Sequence, residues 1–318
     1  MASRSKIRVG VVRGGKSKRH HHSLKTGSQV LKSLPENYAP VDVFIDQAGV
    51  WHIHGVAIDP VNAFKKIDVI FNATHGESGE DLKLQRALDI FNIPYTGSGH
   101  LAALFSNHQG HEKNILKSQG IRMPVYKIFK KEIIDTMSLL DIWKSITNPS
   151  LIRPAVSNTA GVSIVRIFSD LKSALSKAFE FSPEIIIEES VAGREAACGI
   201  LEQYRGDALY SLLPAELVFS KDTDRSVENI FSPGRFSEIE KMKIKDMAKK
   251  IHEVLGLRHY SQSHFVVSPT RGIYFLGVDT LPSLSPDSAF GKSIDSVGLS
   301  LEGFLDHSIK LALSSRRG

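Results

Sequence analysis

Two adjacent strands near the C-terminus carry the side chains whose types and spacing first suggest chemistry. The stretch from Tyr260 to Ser285 opens Y-S-Q-S-H-F-V-V, passes a Thr-Arg-Gly turn (Thr270 to Gly272), and continues I-Y-F-L-G-V-D-T-L-P-S-L-S. His264 offers an imidazole nitrogen and Asp279 a carboxylate, a pair that suits Zn²⁺ or Mn²⁺, although two ligands alone weigh little. Gly10 to Ser17 (G-V-V-R-G-G-K-S) formally matches a phosphate-binding G-x-x-x-x-G-K-[ST] loop. Such a loop needs both glycines in its turn so that successive N–H groups wrap a phosphate. Gly10 instead sits inside a strand between Val9 and Val11, so the match is accidental, and only a helix start remains for phosphate contact. His20, His21 and His22 cannot all face one ion, so they are expected on an exposed loop rather than at a metal.

Alternating and capped segments outline the elements that must hold these residues. Ile7 to Arg13 reads as a β-branched strand, followed by a Gly-Gly turn and a helix from near Ser23. Strands at Val41 to Asp46 and Ile67 to Asn72 complete an open, mostly parallel sheet. A helix at Gln85 to Phe91 leads into the Gly-rich turn Thr96 to Gly99. Next come a helix at His111 to Gln119, closed by Gly120, and helices at Lys131 to Ile146 and Asp170 to Phe179. Strands alternate with them at Val125 to Phe129, Leu151 to Pro154 and Val162 to Ile167. Further strands follow at Ile185 to Glu189, Ala196 to Glu202 and Leu209 to Val218. A basic helix spans Ser237 to Leu255, and a last helix Leu301 to Leu313. Ser220 to Arg235 reads as the loosest loop. The expected division is an N-terminal α/β lobe (residues 1–99), a central lobe (100–182) and a C-terminal lobe (183–318).

The 318 residues, 42% of them hydrophobic, suffice for a large core in several lobes. No apolar run approaches the ~20 residues of a membrane span. The short basic start lacks a signal-peptide core, so a cytoplasmic protein is expected. The single Cys198 excludes an internal disulfide. A net charge of +6 permits an anionic ligand. The denser cations at Lys241 to Lys250 fit a solvated helix face, and no nucleic-acid motif accompanies them.

Longer motifs give these pieces a common frame. Asp68 to Gly99 contains F-N-A-T-H-G-E-S-G-E-D, Gln85 and I-P-Y-T-G-S-G, and Ile185 to Glu195 reads I-I-I-E-E-S-V-A-G-R-E. Together with V-x-V-V-x-G-G-K-S and the Tyr260 to Ser285 stretch, they resemble the D-alanine–D-alanine ligases, an ATP-grasp family. The resemblance runs collinearly from Val9 to about Leu313. It implies an ATP-grasp fold, α/β with an N-terminal open parallel sheet, and a nucleotide cleft between the central and C-terminal lobes.

Roles carried over by the resemblance are unevenly kept. Lys113, Glu188 (adenine side) and Glu195 (ribose hydroxyl) match nucleotide-binding positions, Arg153 replaces a Lys, and Gln109 replaces another. The phosphate-covering loop is reduced to Ser157 to Gly161. His75 and Ser288 match substrate-side positions. Arg19 stands where a Glu would hold the ammonium of the first D-alanine, which reverses the sign of that contact. Gln262 replaces the Arg that would stabilise the tetrahedral intermediate. His264 and Gly277 replace metal-binding carboxylates, leaving Asp279, whereas two Mg²⁺ ions between phosphates need hard oxygen ligands.

By ancestry the reaction is ATP-dependent amide formation between two D-alanines, or another amino or carboxylic acid, for peptidoglycan precursors. ATP is the implied cofactor, and the altered ligands argue against Mg²⁺ held in the family manner. The substituted positions point to impaired or altered catalysis; the alternative is a non-catalytic paralogue that binds adenine nucleotide or a protein partner. Neither nucleic acid nor membrane is expected as a partner, and the family suggests a homodimer.

Overall fold

The computed structural model describes residues 6–17, 19–74, 80–107, 109–155, 161–220 and 227–314. The first sheet contains β1 (Ile7–Gly14), β2 (Tyr38–Ile45), β3 (Trp51–Ile53), β4 (Val56–Ile58) and β5 (Val69–Asn72), in the order β4-β3-β2-β1-β5. β1 pairs in parallel with both β2 and β5, as its β-branched run requires when both faces are covered. The edge hairpin β3–β4 was not expected from the sequence, because three-residue strands leave almost no periodicity.

Gly10 lies within β1, where an added Cβ would come 2.6 Å from Ile67 Cδ1. Close packing, not a phosphate turn, explains this glycine. Gly10→Val should therefore cost about 1–3 kcal/mol through overpacking, read as a lower urea midpoint at constant slope. Helix α1 (His20–Ser33) begins three residues before the expected Ser23. The Ser23 hydroxyl is occupied elsewhere: it accepts from Gly14 N and donates to Ala73 O, both at 2.8 Å. α2 (Pro60–Phe64), capped by Asp59, and α3 (Glu80–Ile90) complete this part. α4 (His100–Asn107) and α5 (Gln109–Ser118) lead onward.

A four-stranded sheet follows, ordered β6 (Tyr126–Lys130), β9 (Glu184–Glu189), β7 (Ser150–Pro154), β8 (Ser163–Val165). The helix expected over Lys131 to Ile146 is two helices, α6 (Lys131–Ile134) and α7 (Leu139–Ser145). Ser138 breaks it by capping the second, its hydroxyl accepting from Asp141 N at 3.1 Å. α8 (Phe168–Phe179) covers the sheet, and Ile142, Ile152, Val165, Leu171, Ile185 and Ile187 form a core of its own.

The third sheet runs β13 (Val227–Phe231), β12 (Ala215–Phe219), β10 (Arg194–Tyr204), β14 (Tyr260–Ser268), β15 (Gly272–Asp279), with β11 (Asp207–Ser211) added to β10. The single strand expected over Leu209 to Val218 is broken before Ala215, where Pro214 has no N–H for a ladder. Part of the expected loop Ser220 to Arg235 is strand β13, and residues 221–226 lie outside the described residues. α9 (Glu238–Val254) carries the basic patch behind a Ser237/Glu240 capping box. α10 (Ala289–Ser296) and α11 (Leu301–Ser314) close the chain.

One hydrophobic core joins the first and third sheets, running from Val9, Val11, Val69 and Phe71 to Tyr260, Phe290 and Phe304. The Thr96 to Gly99 turn is bolted to the start of β14: Gly97 N donates to His259 Nδ1 at 3.1 Å and Arg258 N to Ser98 Oγ at 3.2 Å. Gly97 needs its φ of +90°, and a Cβ there would press on Leu281. His259 is fixed in turn by Glu202, whose carboxylate accepts its N–H at 2.6 Å.

Candidate active site

Three neighbouring strands present four of the expected residues on one sheet face. Cross-strand partners are Ala197 with His264, His264 with Gly277, and Gln262 with Asp279. Residues two apart on a strand share a face, so Glu195, Gln262, His264 and Asp279 project together. His264 Nε2 lies 2.9 Å from Asp279 Oδ2. Burial pulls this imidazole down most strongly of any one cause, but the Asp279 hydrogen bond, the Asp279 charge and Glu195 together outweigh it and raise His264 above its ordinary value. Gln262 is 4% exposed, and its Nε2 has no hydrogen-bond partner. A buried neutral donor thus stands, without a partner, where the family carries an arginine.

The donor set does not fit a pair of Mg²⁺ ions. His264 and Asp279 are bonded to each other, and Gly277 supplies no side chain. Among the described residues, no three His, Cys, Asp or Glu side chains come together to hold one ion. Gly277 faces open space, with no atom within 4 Å of an ideal Cβ.

A second group sits between α5 and the middle sheet. Glu188 on β9 is 2% exposed and holds two cations: Lys113 Nζ at 3.0 Å from Oε2 and Arg153 Nε at 2.9 Å from Oε1. Burial would raise the Glu188 carboxyl, but Arg153 and Lys113 hold it below the usual carboxylate range. Burial draws the Lys113 ammonium down from the ordinary lysine value, with Glu188 opposing that loss. A register shift after His264 leaves Leu276 outside the β14–β15 ladder, and its carbonyl meets Arg153 at 3.5 Å. The structure therefore brings Lys113, Arg153 and Glu188 together, while Glu195, grouped with them in the sequence reading, projects from β10 on the face of Gln262 and His264.

Sequence reasoning missed Glu112, the residue before Lys113. It is buried and lies in the electrostatic field of Lys113, Arg153, Asp279 and Glu188. The signal was available: Glu112 precedes the buried Leu116 by four residues and so shares its inward helix face.

Two further expected residues begin helices. Ser288 is the N-cap of α10: its hydroxyl accepts from Gly291 N at 3.0 Å and donates to Ser283 or Ser285 carbonyls. Arg19 is the N-cap of α1, without a side-chain cap bond. The expected loop of three histidines is helical from His20, which is buried with Nδ1 2.6 Å from Gly15 O. His75 lies outside the described residues, as do residues 157–160 and the Gln109 side chain.

Comparison with known proteins places this geometry in a class. Its fold is that of the ATP-grasp proteins: it superimposes on the D-Ala:D-Ser ligase VanG from Enterococcus faecalis with a TM-score of 0.86 at 23% identity, covering 97% of this chain and all of that one. A D-alanine–D-alanine ligase structure from Bacillus anthracis gives 0.82 at 25% identity, covering 98% of this chain and 99% of that one. The family model for the D-ala D-ala ligase C-terminus matches residues 115–310. A D-alanine–D-alanine ligase from Desulforamulus reducens is 30% identical over 96% of this chain and 99% of its own length. The chain belongs to the D-alanine–D-alanine ligase family.

Proposed function

We propose that this protein retains a ligase-type nucleotide cleft in which ATP-dependent joining of a carboxylate to an amine is impaired or altered. One observation carries the reading. The two candidate metal ligands, His264 and Asp279, are spent on each other beside the empty Gly277 position, whereas Lys113, Arg153 and Glu188 remain assembled. A related structure from Bacillus anthracis was solved complexed with ATP, which supports an adenine nucleotide as the ligand. Lys113, Arg153, Glu188 and Glu195 would hold it, and no step is assigned to Mg²⁺ because the ligands do not fit.

Gln262 can donate a hydrogen bond but supplies no charge, so developing negative charge in the transition state is stabilised less than by an arginine. The substrate class is D-alanine or another amino or carboxylic acid, with Arg19 favouring an anionic over an ammonium group. By family the product serves peptidoglycan precursors, in the cytoplasm and as a homodimer. The division into lobes 1–99, 100–182 and 183–318 is retained, with β9 as the strand that the third lobe lends to the middle sheet. A non-catalytic paralogue that binds adenine nucleotide or a protein partner is the second reading, favoured by the Ser288 hydroxyl being taken up as a helix cap.

Purified protein with ATP, Mg²⁺ and D-alanine, scored for ADP and dipeptide, tests the main reading. Little or no dipeptide is expected, and rapid D-alanyl-D-alanine formation would sink the claim of impairment. ADP released only with a different acid or amine supports altered catalysis; none with any leaves the non-catalytic reading. The double variant His264→Asp with Gly277→Glu should raise Mg·ATP affinity about tenfold or more, since single ligand-sphere changes commonly move metal affinity 10–100-fold. Calorimetry with and without Mg²⁺ measures it.

A further inference from the structure

Glu112 is 1% exposed, and its Oε1 has no hydrogen-bond partner. A buried carboxylate oxygen without a donor is unfavourable when charged, and burial pushes this carboxyl up to about 8 despite Lys113 and Arg153 pulling it down. Asp279 on β15 and Glu188 on β9 add to the upward push. Three other charged groups on neighbouring elements are engaged elsewhere. His264 on β14 is bonded to Asp279, His100 on α4 to Asp89, and Lys250 on α9 donates to Gln119 O.

Charge counting gives this residue a consequence. Lys113 and Arg153 contribute two positive charges, and Glu188 removes one. With Glu112 ionised the buried set is neutral and has no surplus for an incoming anion. With Glu112 protonated, one positive charge is left over. We propose that Glu112 couples entry of a nucleotide phosphate into this cleft to the uptake of one proton, and so sets the pH at which the anion binds. The proposal rests on the nucleotide reading above. The proton comes from solvent onto the Glu112 carboxylate; no other bond changes.

Calorimetry with ADP and no divalent cation, from pH 7 to pH 9.5 in buffers of different ionisation heat, counts the protons. Wild-type protein should take up close to one proton per ADP above pH 8, with Kd weakening about tenfold per pH unit there. In Glu112→Gln both effects should vanish, and its Kd at pH 9 should be about tenfold tighter than wild type. ADP binding by wild-type protein without proton uptake overturns the proposal, whether or not the variant folds. So does undiminished uptake in a folded Glu112→Gln. If neither protein binds ADP, the nucleotide reading itself falls and takes this proposal with it.

Discussion

Glu188→Ala should cost the protein about 3–5 kcal/mol of stability, the usual consequence of removing one partner from a buried ion pair. Lys113 is 1% exposed and Arg153 6%, and both face this single carboxylate. Without it, two cations would remain buried with no anion beside them except Glu112. Urea unfolding at constant slope measures the loss. Adding Lys113→Met to Glu188→Ala should recover part of it, because one unpaired cation is then replaced by an apolar chain of similar length. A loss below about 1 kcal/mol would place the group among solvated surface pairs and sink the account of a buried cluster.

The next largest effect is expected from acid. His259 Nδ1 accepts from Gly97 N, which requires that nitrogen to be unprotonated. Burial lowers this imidazole to about 4, with Arg258, His252 and His307 adding to the decrease and Glu202 opposing it. The folded value lies below the unfolded one of 6.5, so this contribution is complete above pH 6.5. It declines as the pH falls towards 4 and is flat below. The difference corresponds to about 3 kcal/mol. Glu202 acts in a lower window: burial works against it, but His252 and the His259 amide hold its carboxyl below the usual range, so its share is lost only below about pH 4.5. His259→Asn keeps an acceptor and tolerates the φ of +65°. Its stability should be lower at pH 7 and nearly level between pH 6.5 and pH 4.5. An equally steep decline in the variant would assign the acid sensitivity to other groups.

The fold was legible where the chain writes long periodic segments. β1, α8, α9 and β14 stand within a few residues of where β-branched runs, caps and apolar periodicity put them. Short pieces were not legible. Ser138 divides one expected helix and Pro214 one expected strand, and the three-residue strands β3 and β4 are shorter than any usable period. At the site, resemblance aligned Lys113, Arg153, Glu188, His264 and Asp279 by position, yet not by partner. That His264 would bond Asp279 depends on the register of β14 against β15, which a single sequence does not encode. Glu112 escaped attention because charged residues on helices are ordinarily solvated. The glycines of Thr96 to Gly99 were read as a turn, and in the fold Gly97 also serves the joint with His259.

The core shared between the first and third sheets has a mechanical corollary. Val9, Val11 and Phe71 are embedded with Tyr260, Phe290 and Phe304 in one apolar mass, so those two parts move as a single anvil. The middle sheet keeps its own core. Among the described residues its ties across include the chain passages α5–β6 and β9–β10, Arg153 to the Leu276 carbonyl, Arg271 with Glu189, and the buried Lys113–Glu188 pair from α5, whose Leu116 packs in the core of the third sheet. Any gape of the cleft is therefore a swing of the middle part against these ties. The Arg271–Glu189 pair, at the tip of the β14–β15 hairpin, is the exposed one of these ties and the weaker, so the buried Lys113–Glu188 pair is the one that resists such a swing.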